Sequence, residues 1–383
     1  MRPLRAALLS VVASAALLVP PGSAAAASDD VPDGHWAKGA IRYVATKRPW
    51  MRDFGSTFRP DEPVQRRHLA RALVRAFAPN ARAGPTFSDL PSDDPFYRVA
   101  SAAVRKKWMK APDGTFDPSG PVTKRDLDRA LVRALKLRKE LKGLNRIRTA
   151  DGAPLSVPPE FGALVLAQQL RLHTNHPTSA EARELLPDSV VTRAHAADGL
   201  RRAATTPLWR IDALRPYRKV ILKNVSSTKR AAVTFALAQA GMPYVYAAEW
   251  AEPTPSGYCC GAQAQGGFDC SGFVWWVMRK GDGLWNNTDH RGYKGWPLLE
   301  RSSRDMARAA PAKLTFKQSR PLDLMFFDGD DSHTNWRGVD HAGLYLGRGW
   351  MIHSASGVNG VTLERVRKGW YRDHFRWSRR LIP

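Results

Sequence analysis

An internal repeat constrains the fold of this chain more than any other feature of its sequence. Residues 57–76 (TFRPDEPVQRRHLARALVRA) and 115–134 (TFDPSGPVTKRDLDRALVRA) are identical at thirteen of twenty positions, without a gap, at an offset of 58. Each copy has an aromatic residue, a proline turn and then a helix with Leu and Val on one face. One such unit cannot bury its apolar face alone, so we expect a helical array over residues 29–203. Its units are predicted at about 29–80, 87–137 and, in degenerate form, 150–203.

The N-terminus has the three parts of a secretory signal peptide. Arg2 and Arg5 precede the apolar stretch Ala6–Val19, and an Ala-x-Ala cleavage site follows, ending at Ala27. The apolar stretch is too short for a comfortable membrane span, and no later run has spanning length. We therefore predict a signal peptide over residues 1–27 and a secreted mature chain without a transmembrane segment.

The charge of the chain requires an anionic partner. Lys and Arg number 59 against 35 Asp and Glu, which gives a formal charge of +24. An exported protein does not meet the genome, so nucleic acid is a poor candidate, and the anionic polymers of a bacterial cell wall are favoured. The three Cys residues all lie within Cys259–Cys270, which excludes a disulfide-stapled fold and a four-cysteine zinc module. We expect no metal and no cofactor.

The repeats resemble S-layer homology repeats. The resemblance rests on Trp36-Ala37 near a helix start, on the two Phe-x-Pro segments and on the Val-Thr-(Arg/Lys) pattern. It implies an all-α region that holds the protein to an acidic wall polymer. The family's usual Thr-Arg-Ala-Glu signature is replaced by Gln65-Arg66-Arg67-His68, Thr123-Lys124-Arg125-Asp126 and Thr192-Arg193-Ala194-His195. The resemblance therefore supports the fold of the repeats more strongly than it supports their ligand. A spacer or a protein-docking array remains an alternative function.

The pattern of the chain changes after the repeats. Residues 204–225 mix Pro with basic residues and have no clear period, which predicts a linker. From residue 226 onward a helix is expected at about 228–240, followed by a loop rich in Pro, Gly and Cys and by short strands. Residues 226–383 are therefore predicted to form a separate α+β domain.

Cys270 is the strongest candidate for a nucleophile. It follows Gly266-Gly267-Phe268-Asp269 and precedes an apolar run of helical length, so it should lie in the first turn of a buried helix with Asp269 as its cap. Main-chain N–H groups at such a helix start lower the pKa of a thiol and favour the thiolate. A packed core thiol is the alternative.

The segment from Asp340 to His353 predicts a β-hairpin whose two histidines meet. With a loop over Gly347–Gly349, the numbers of facing residues sum to 696, so His353 faces Gly343 and lies diagonal to His341. Gly343 has no side chain, which leaves room for the two imidazoles. A base with an orienting partner behind it is what a thiol nucleophile requires.

These motifs together resemble the NlpC-type cell-wall cysteine peptidases, a papain-like family. The matching segments are Ala240–Tyr244, Phe268–Gly272, Pro321–Phe327, His341–Gly347 and His353. The resemblance implies cleavage of peptidoglycan stem peptides between D-glutamate and the next diamino acid. It implies the following roles: Cys270 as nucleophile, His341 as general base, His353 as its orienter, and Tyr244, Asp269 and Ser271 as recognition groups for the substrate amine. Two departures occur at Ala247-Ala248 and Leu322, where the family usually has glycine.

Several alternatives remain at the level of sequence. Cys259 and Cys260 could form a vicinal disulfide, pair with another chain or remain free, and neither follows a helix start. The same scaffold could act as an amidase or an acyl transferase, because a thioester can pass to an amine as well as to water. An inactive protein that only binds wall and stem peptides is the third possibility.

Overall fold

The computed structural model describes residues 30–382 except residues 53, 55, 56, 280–297 and 330–334. The predicted signal peptide, residues 1–27, lies outside the described residues. Among the described helices, none has both the length and the apolar composition that crossing a bilayer requires.

The structure combines helices and strands, with most helices before residue 240 and most strands after it. The helices are α1 (Lys38–Ile41), α2 (Arg66–Phe77), α3 (Tyr97–Arg105), α4 (Lys124–Ala134), α5 (Arg138–Leu144), α6 (Phe161–Gln169), α7 (Arg193–Thr205), α8 (Leu208–Ala213), α9 (Ser227–Ala238), α10 (Cys270–Arg279), α11 (Ser303–Arg308) and α12 (Trp370–Asp373). The strands are β1 (Arg148–Thr149), β2 (Ile221–Leu222), β3 (Glu249–Trp250), β4 (Gly267–Phe268), β5 (Leu324–Phe327), β6 (His341–Gly347), β7 (Trp350–Ala355), β8 (Gly360–Arg365) and β9 (Phe375–Arg379).

Helices α2, α4 and α7 begin at equivalent places in the three predicted units. In α4 the hydroxyl of Thr123 accepts a hydrogen bond from the main-chain N–H of Asp126, and in α7 Thr192 does the same for His195. Gln65, at the equivalent place before α2, makes no such side-chain cap. The buried faces carry the Leu, Val and Ala residues whose spacing predicted these helices.

The three helix starts close into a ring with approximate threefold symmetry. The loops bridge in the pairs Gln65–Pro121, Thr123–Val190 and Thr192–Pro63. The first N–H of each helix donates to a carbonyl of a neighbouring unit: Arg66 to Gly120 (3.0 Å), Lys124 to Ser189 (2.9 Å) and Arg193 to Glu62 (2.8 Å). Each unit therefore satisfies main-chain groups of another unit at a helix start, where N–H groups lack partners within their own helix.

The segment predicted to be a linker, residues 204–225, is folded against the rest of the protein. It contains α8, and β2 pairs in parallel with β1 of the preceding region. Tyr217 is buried, and its hydroxyl donates to the carbonyl of Leu363 at 2.7 Å. This stretch contains buried apolar side chains among the basic and proline residues that suggested a linker. It is therefore a packed part of the structure and not a flexible spacer.

A five-stranded antiparallel sheet dominates the second region, in the order β8-β7-β6-β5-β9. Helix α10 packs against β6 and β7. All ten residues of α10 are buried, as are nearly all residues of β6 and β7, which agrees with the predominance of apolar residues in these segments. The start of α10 is thereby placed beside the first residues of β6.

The repeat region and the sheet region share one apolar core and are joined by buried hydrogen bonds. Gln168, in α6, donates to the carbonyls of Met242 and Asn359, both at 3.3 Å. Asn359 in turn donates to the Glu184 carboxylate at 2.8 Å. Buried amide and carboxylate groups with such partners fix the orientation of the two regions.

Candidate active site

Cys270 is the first residue of α10, as the sequence predicts. The Asp269 carboxylate accepts a hydrogen bond from the N–H of Gly272 at 2.6 Å, which caps the helix. The Cys270 thiol donates to the carbonyl of Asp340 at 3.8 Å. The sulfur therefore lies against the main chain next to His341.

The expected lowering of the Cys270 pKa is wrong for this buried thiol. Burial raises the pKa of Cys270 to about 12, and the adjacent Asp269 carboxylate raises it further, while the N–H groups of Ala342 and Ser271 oppose both effects. Removing a lone thiolate from water costs more than these N–H groups return. The resting side chain is therefore a neutral thiol, and it needs a base close by to become a nucleophile.

The β6–β7 hairpin supplies that base, and its register is the predicted one. Leu344 faces Ile352 and Tyr345 faces Met351, and the pairing shifts only at the turn. A Cβ placed on Gly343 would lie 3.0 Å from the Cβ of His353, so glycine leaves the room that the imidazoles occupy. Nε2 of His341 and Nδ1 of His353 are 2.8 Å apart.

Both histidines are held in their neutral form. Burial lowers the pKa of His341 to about 4. Burial also lowers the pKa of His353 well below its ordinary value, and the nearby His341 lowers it further. A neutral imidazole can accept a proton, so His341 is suited to act as a base at neutral pH.

Cys270 and His341 open into one cavity of about 710 Å³, and Tyr244 lines it as well. Burial raises the pKa of Tyr244 well above its usual value, so its phenol remains protonated and can donate a hydrogen bond. Four of the six predicted site residues are thus brought together: Cys270, His341 and Tyr244 line one cavity, and His353 is hydrogen-bonded to His341.

Asp269 and Ser271 are engaged by an arginine that the sequence analysis missed. Arg301 donates to both Asp269 oxygens, at 3.1 and 3.0 Å, and to the Ser271 hydroxyl at 2.8 Å. It also forms an ion pair with Glu249. Neither Asp269 nor Ser271 is among the residues that line the cavity at Cys270. The interpretation of these two residues as receptors for a substrate amine therefore stays a prediction, and Arg301 is the group that an amine would have to displace.

Tyr371 is a second site residue that the sequence did not indicate. It lines the cavity, and its ring is nearly perpendicular to that of His353, with centroids 4.9 Å apart. Like Arg301, it lies far along the chain from Cys270 and carries no local motif, so only the folded chain places it here.

The two departures from the glycine pattern have a backbone signature. Ala247 has φ of 58° and Leu322 has φ of 71°, in the left-handed region that favours glycine. The backbone thus keeps a glycine-like conformation at both places while the side chains differ. Each costs about 1 kcal/mol relative to an unstrained residue.

Cys259 and Cys260, whose state the sequence left open, are joined to each other by a disulfide. Cys270 is the remaining cysteine and has a free thiol. Among the residues that the structure describes, no three His, Cys, Asp or Glu side chains form a group that could hold a metal ion.

Comparison with known proteins assigns families to both parts of the chain. Residues 241–380 match the NlpC/P60 family, and residues 86–127 match the S-layer homology domain. The first match contains Tyr244, Cys270, His341 and His353, and the second spans the unit that leads into α4.

The chain is similar to several proteins named as endopeptidases. It is 26% identical over 170 residues to the bifunctional muramidase/DL-endopeptidase CwlT of Bacillus subtilis, covering 43% of this chain and 42% of that protein. It is 32% identical over 129 residues to a probable endopeptidase of Mycobacterium tuberculosis, covering 33% and 24%. The chain thus spans less than half the length of these relatives.

Among solved structures, the peptidoglycan hydrolase RipB of Mycobacterium tuberculosis aligns with 41% of this chain and 65% of its own, at 25% identity and a TM-score of 0.29. The NlpC/P60 family match, residues 241–380, contains the cysteine at the helix start and the histidine pair on the hairpin. By these family matches, the chain joins an S-layer homology domain at residues 86–127 to an NlpC/P60 domain at residues 241–380.

Proposed function

We propose that this protein hydrolyses peptidoglycan stem peptides at the bond between D-glutamate and the following diamino acid. The observation that carries the proposal is the arrangement of Cys270 beside His341, with His353 2.8 Å behind it, in an open cavity. The NlpC/P60 match and the names of the similar proteins support the substrate class.

The mechanism follows from the neutral resting state of the pair. His341 accepts the thiol proton as Sγ attacks the carbonyl carbon, so the imidazolium carries a positive charge and the former carbonyl oxygen a negative one, and the net charge of the site is unchanged. His353 accepts a hydrogen bond from Nε2–H of His341 through Nδ1, which leaves Nδ1 of His341 as the basic nitrogen. The main-chain N–H at the start of α10 stabilises the oxyanion.

The second half of the reaction uses the same base. His341 protonates the leaving amine as the C–N bond breaks, and a thioester forms on Cys270. Water then gives a proton to His341, attacks the thioester and regenerates the thiol. This chemistry is carried by side chains and the main chain alone.

Mass spectrometry of fragments released from purified peptidoglycan tests this function. The mature full-length protein should release fragments that end in a free D-glutamate, and Cys270→Ala should release none. Fragments cut between the sugar and the peptide would show an amidase, and products that carry an added amine would show an acyl transferase. Wall binding without any release by the unmodified protein would show the inactive alternative.

We further propose that the repeat region holds the protein on an anionic wall polymer. The S-layer homology match and the formal charge of +24 support this role. Salt weakens the attraction between exposed basic side chains and an anionic polymer, because charges are screened over about 10 Å at 0.1 M salt. Full-length Cys270→Ala should therefore sediment with wall at low salt and less at moderate salt.

Wall from which the anionic polymers have been stripped is the matched control for this experiment. Equal sedimentation with native and stripped wall would contradict the proposal. It would favour binding through the stem peptides instead.

A further inference from the structure

The cavity at Cys270 has a second wall that lies outside the NlpC/P60 match. Gln169 is the last residue of α6, Arg171 follows two residues later, and Trp209 and Arg210 come from α8. All of these residues precede residue 241, where the match begins. The family match therefore includes the part of the cavity that carries Cys270 and His341, and it does not include the second wall.

This second wall carries the positive charges of Arg171 and Arg210. Among the described residues, no carboxylate forms an ion pair with Arg171 or Arg210. Arg210 donates to the carbonyl of Leu170 at 3.5 Å and lies 5.1 Å from the Trp209 ring centroid. The neighbouring Arg202, by contrast, pairs with Asp198 at 2.7 Å.

The two guanidinium groups line the same cavity. The pKa of Arg210 is lowered, first by burial and then by the charge of Arg171. Repulsion between like charges raises the free energy of the protein. An anion bound between the two charges offsets that repulsion. An anion bound in the cavity would interact favourably with both guanidinium groups.

The acidic residues of the cavity do not supply that anion. The Glu364 carboxylate accepts a hydrogen bond from Gln169 at 2.9 Å, and burial raises its pKa. The Asp340 carboxylate accepts the N–H of Gly329 at 3.2 Å, on the catalytic side.

Two exposed indoles also line the cavity. Trp209 is 65% exposed and Trp370 is 46% exposed, although residues of this size are usually well buried. An exposed aromatic ring beside arginines offers apolar contact to a ligand whose charged group the arginines bind.

The second wall is held in a fixed position relative to Cys270. Gln169 donates to the carbonyl of Leu363 at 3.1 Å, and Tyr217 donates to the same carbonyl at 2.7 Å. Helix α6 is almost entirely buried. Arg171 therefore lies two residues beyond the end of a helix that is anchored to the catalytic sheet.

We propose that Arg171 and Arg210, with Trp209, form a carboxylate-binding subsite of the active site, supplied by the repeat region and the segment after it. The inference rests on the proposed function, because its ligand is a carboxylate of the stem peptide. Guanidinium groups bind carboxylates through charge-assisted hydrogen bonds. The region before residue 241 thus takes part in substrate selection as well as in placement.

The test compares a stem tetrapeptide that has free carboxylates with the same peptide fully amidated. We expect the unmodified protein to show a kcat/KM about tenfold higher for the free acid. Arg171→Gln and Arg210→Gln should remove that preference by raising KM for the free acid, and they should leave the amidated peptide unchanged. Arg98→Gln is the matched control, because Arg98 is exposed on α3, is not among the residues that line the cavity and changes the net charge equally.

Two outcomes would overturn the subsite while leaving the catalytic function intact. One is hydrolysis of both peptides at equal kcat/KM by the unmodified protein. The other is an equal loss on both peptides in the arginine variants, which would show a structural role.

A second experiment separates this inference from the proposed function. Calorimetry measures how tightly each of the two peptides binds to full-length Cys270→Ala. Tighter binding of the free acid, cancelled by Arg171→Gln, would support the subsite even if the unmodified protein hydrolysed neither peptide. Equal binding of the two peptides would overturn the subsite.

Discussion

The repeat region and the NlpC/P60 domain are built in opposite ways. In the repeat region the same turn and helix start occur three times, and each start satisfies main-chain groups of another unit. The catalytic site occurs once, from a helix start at Cys270 and a hairpin that carries His341 and His353. The repeated pattern divides its contribution to stability among three copies, so the loss of one copy should have a small effect. The catalytic site occurs once, so no other residue can replace Cys270 or His341.

The largest effects should follow from changes to the reacting pair. Cys270→Ala should lower kcat/KM by at least about a thousandfold, and His341→Ala by nearly as much, because the buried thiol is protonated without its base. The double variant should lose no more than either single variant, since both residues serve one step.

Steady-state hydrolysis of a stem tetrapeptide measures these losses. The variant Cys259→Ser/Cys260→Ser is the control, and it should remain close to the unmodified protein. Additive losses in the Cys270 and His341 double variant would contradict a single catalytic unit.

A smaller effect is expected at His353, which orients His341 and does not react. His353→Ala should retain roughly a hundredfold more activity than Cys270→Ala. His353→Asn should recover part of the loss, since its amide oxygen can accept the Nε2–H of His341. His353→Leu has a similar volume without an acceptor and should resemble His353→Ala in kcat. Equal kcat values for the Asn and Leu variants would show that packing, and not the hydrogen bond, is what His353 provides.

The pH profile of kcat/KM tests the neutral resting state of the pair. Because burial lowers the pKa of His341 to about 4, its imidazole stays neutral above that pH and becomes protonated below it. Activity should therefore be level from about pH 5 upward and fall about tenfold per unit below pH 4. The amidated tetrapeptide is the control, because it has no carboxylates that titrate in this range. A midpoint near 6.5 would show that His341 ionises as an exposed imidazole does.

The smallest effects should occur in the repeat region, where the three helix starts serve as controls for one another. Thr123→Ala removes the cap of α4 and should lower the free energy of unfolding by about 1 kcal/mol. Gln65→Ala should change it by less than about 0.5 kcal/mol, because Gln65 makes no cap. Gln65→Thr should raise it if the ring is as regular as its main-chain bonds indicate. Urea unfolding of the full-length variants measures all three, and equal losses at Gln65 and Thr123 would contradict this account.

Features with a local cause could be predicted from the sequence. The helix start at Cys270 follows from the glycines, the Asp269 cap and the apolar run after it. The register of β6 and β7 follows from the alternation of side chains and the glycine-rich turn, and it places His341 beside His353. The repeat predicts α2 and α4 because its helical period is present twice.

Features that depend on distant segments could not be predicted in this way. Residues 204–225 have a linker-like composition, yet Tyr217 is buried because the sheet offers it a partner in Leu363. Arg301 carries no motif, and only the tertiary structure shows that it forms an ion pair with Asp269. The roles of such residues depend on contacts with residues that are distant in the sequence, and no local pattern indicates those contacts.

The sequence by itself determined which residues could react: a cysteine at a helix start, a histidine pair on a hairpin, and a repeated helical region before them. The tertiary structure decided their chemical state and their surroundings. Burial raises the pKa of the Cys270 thiol and lowers that of His341, because taking either charge out of water costs more than the nearby dipoles return. The packing of α6 against β8 and the position of α8 decide that Arg171 and Arg210 line the same cavity as Cys270, since these residues are far apart in the sequence.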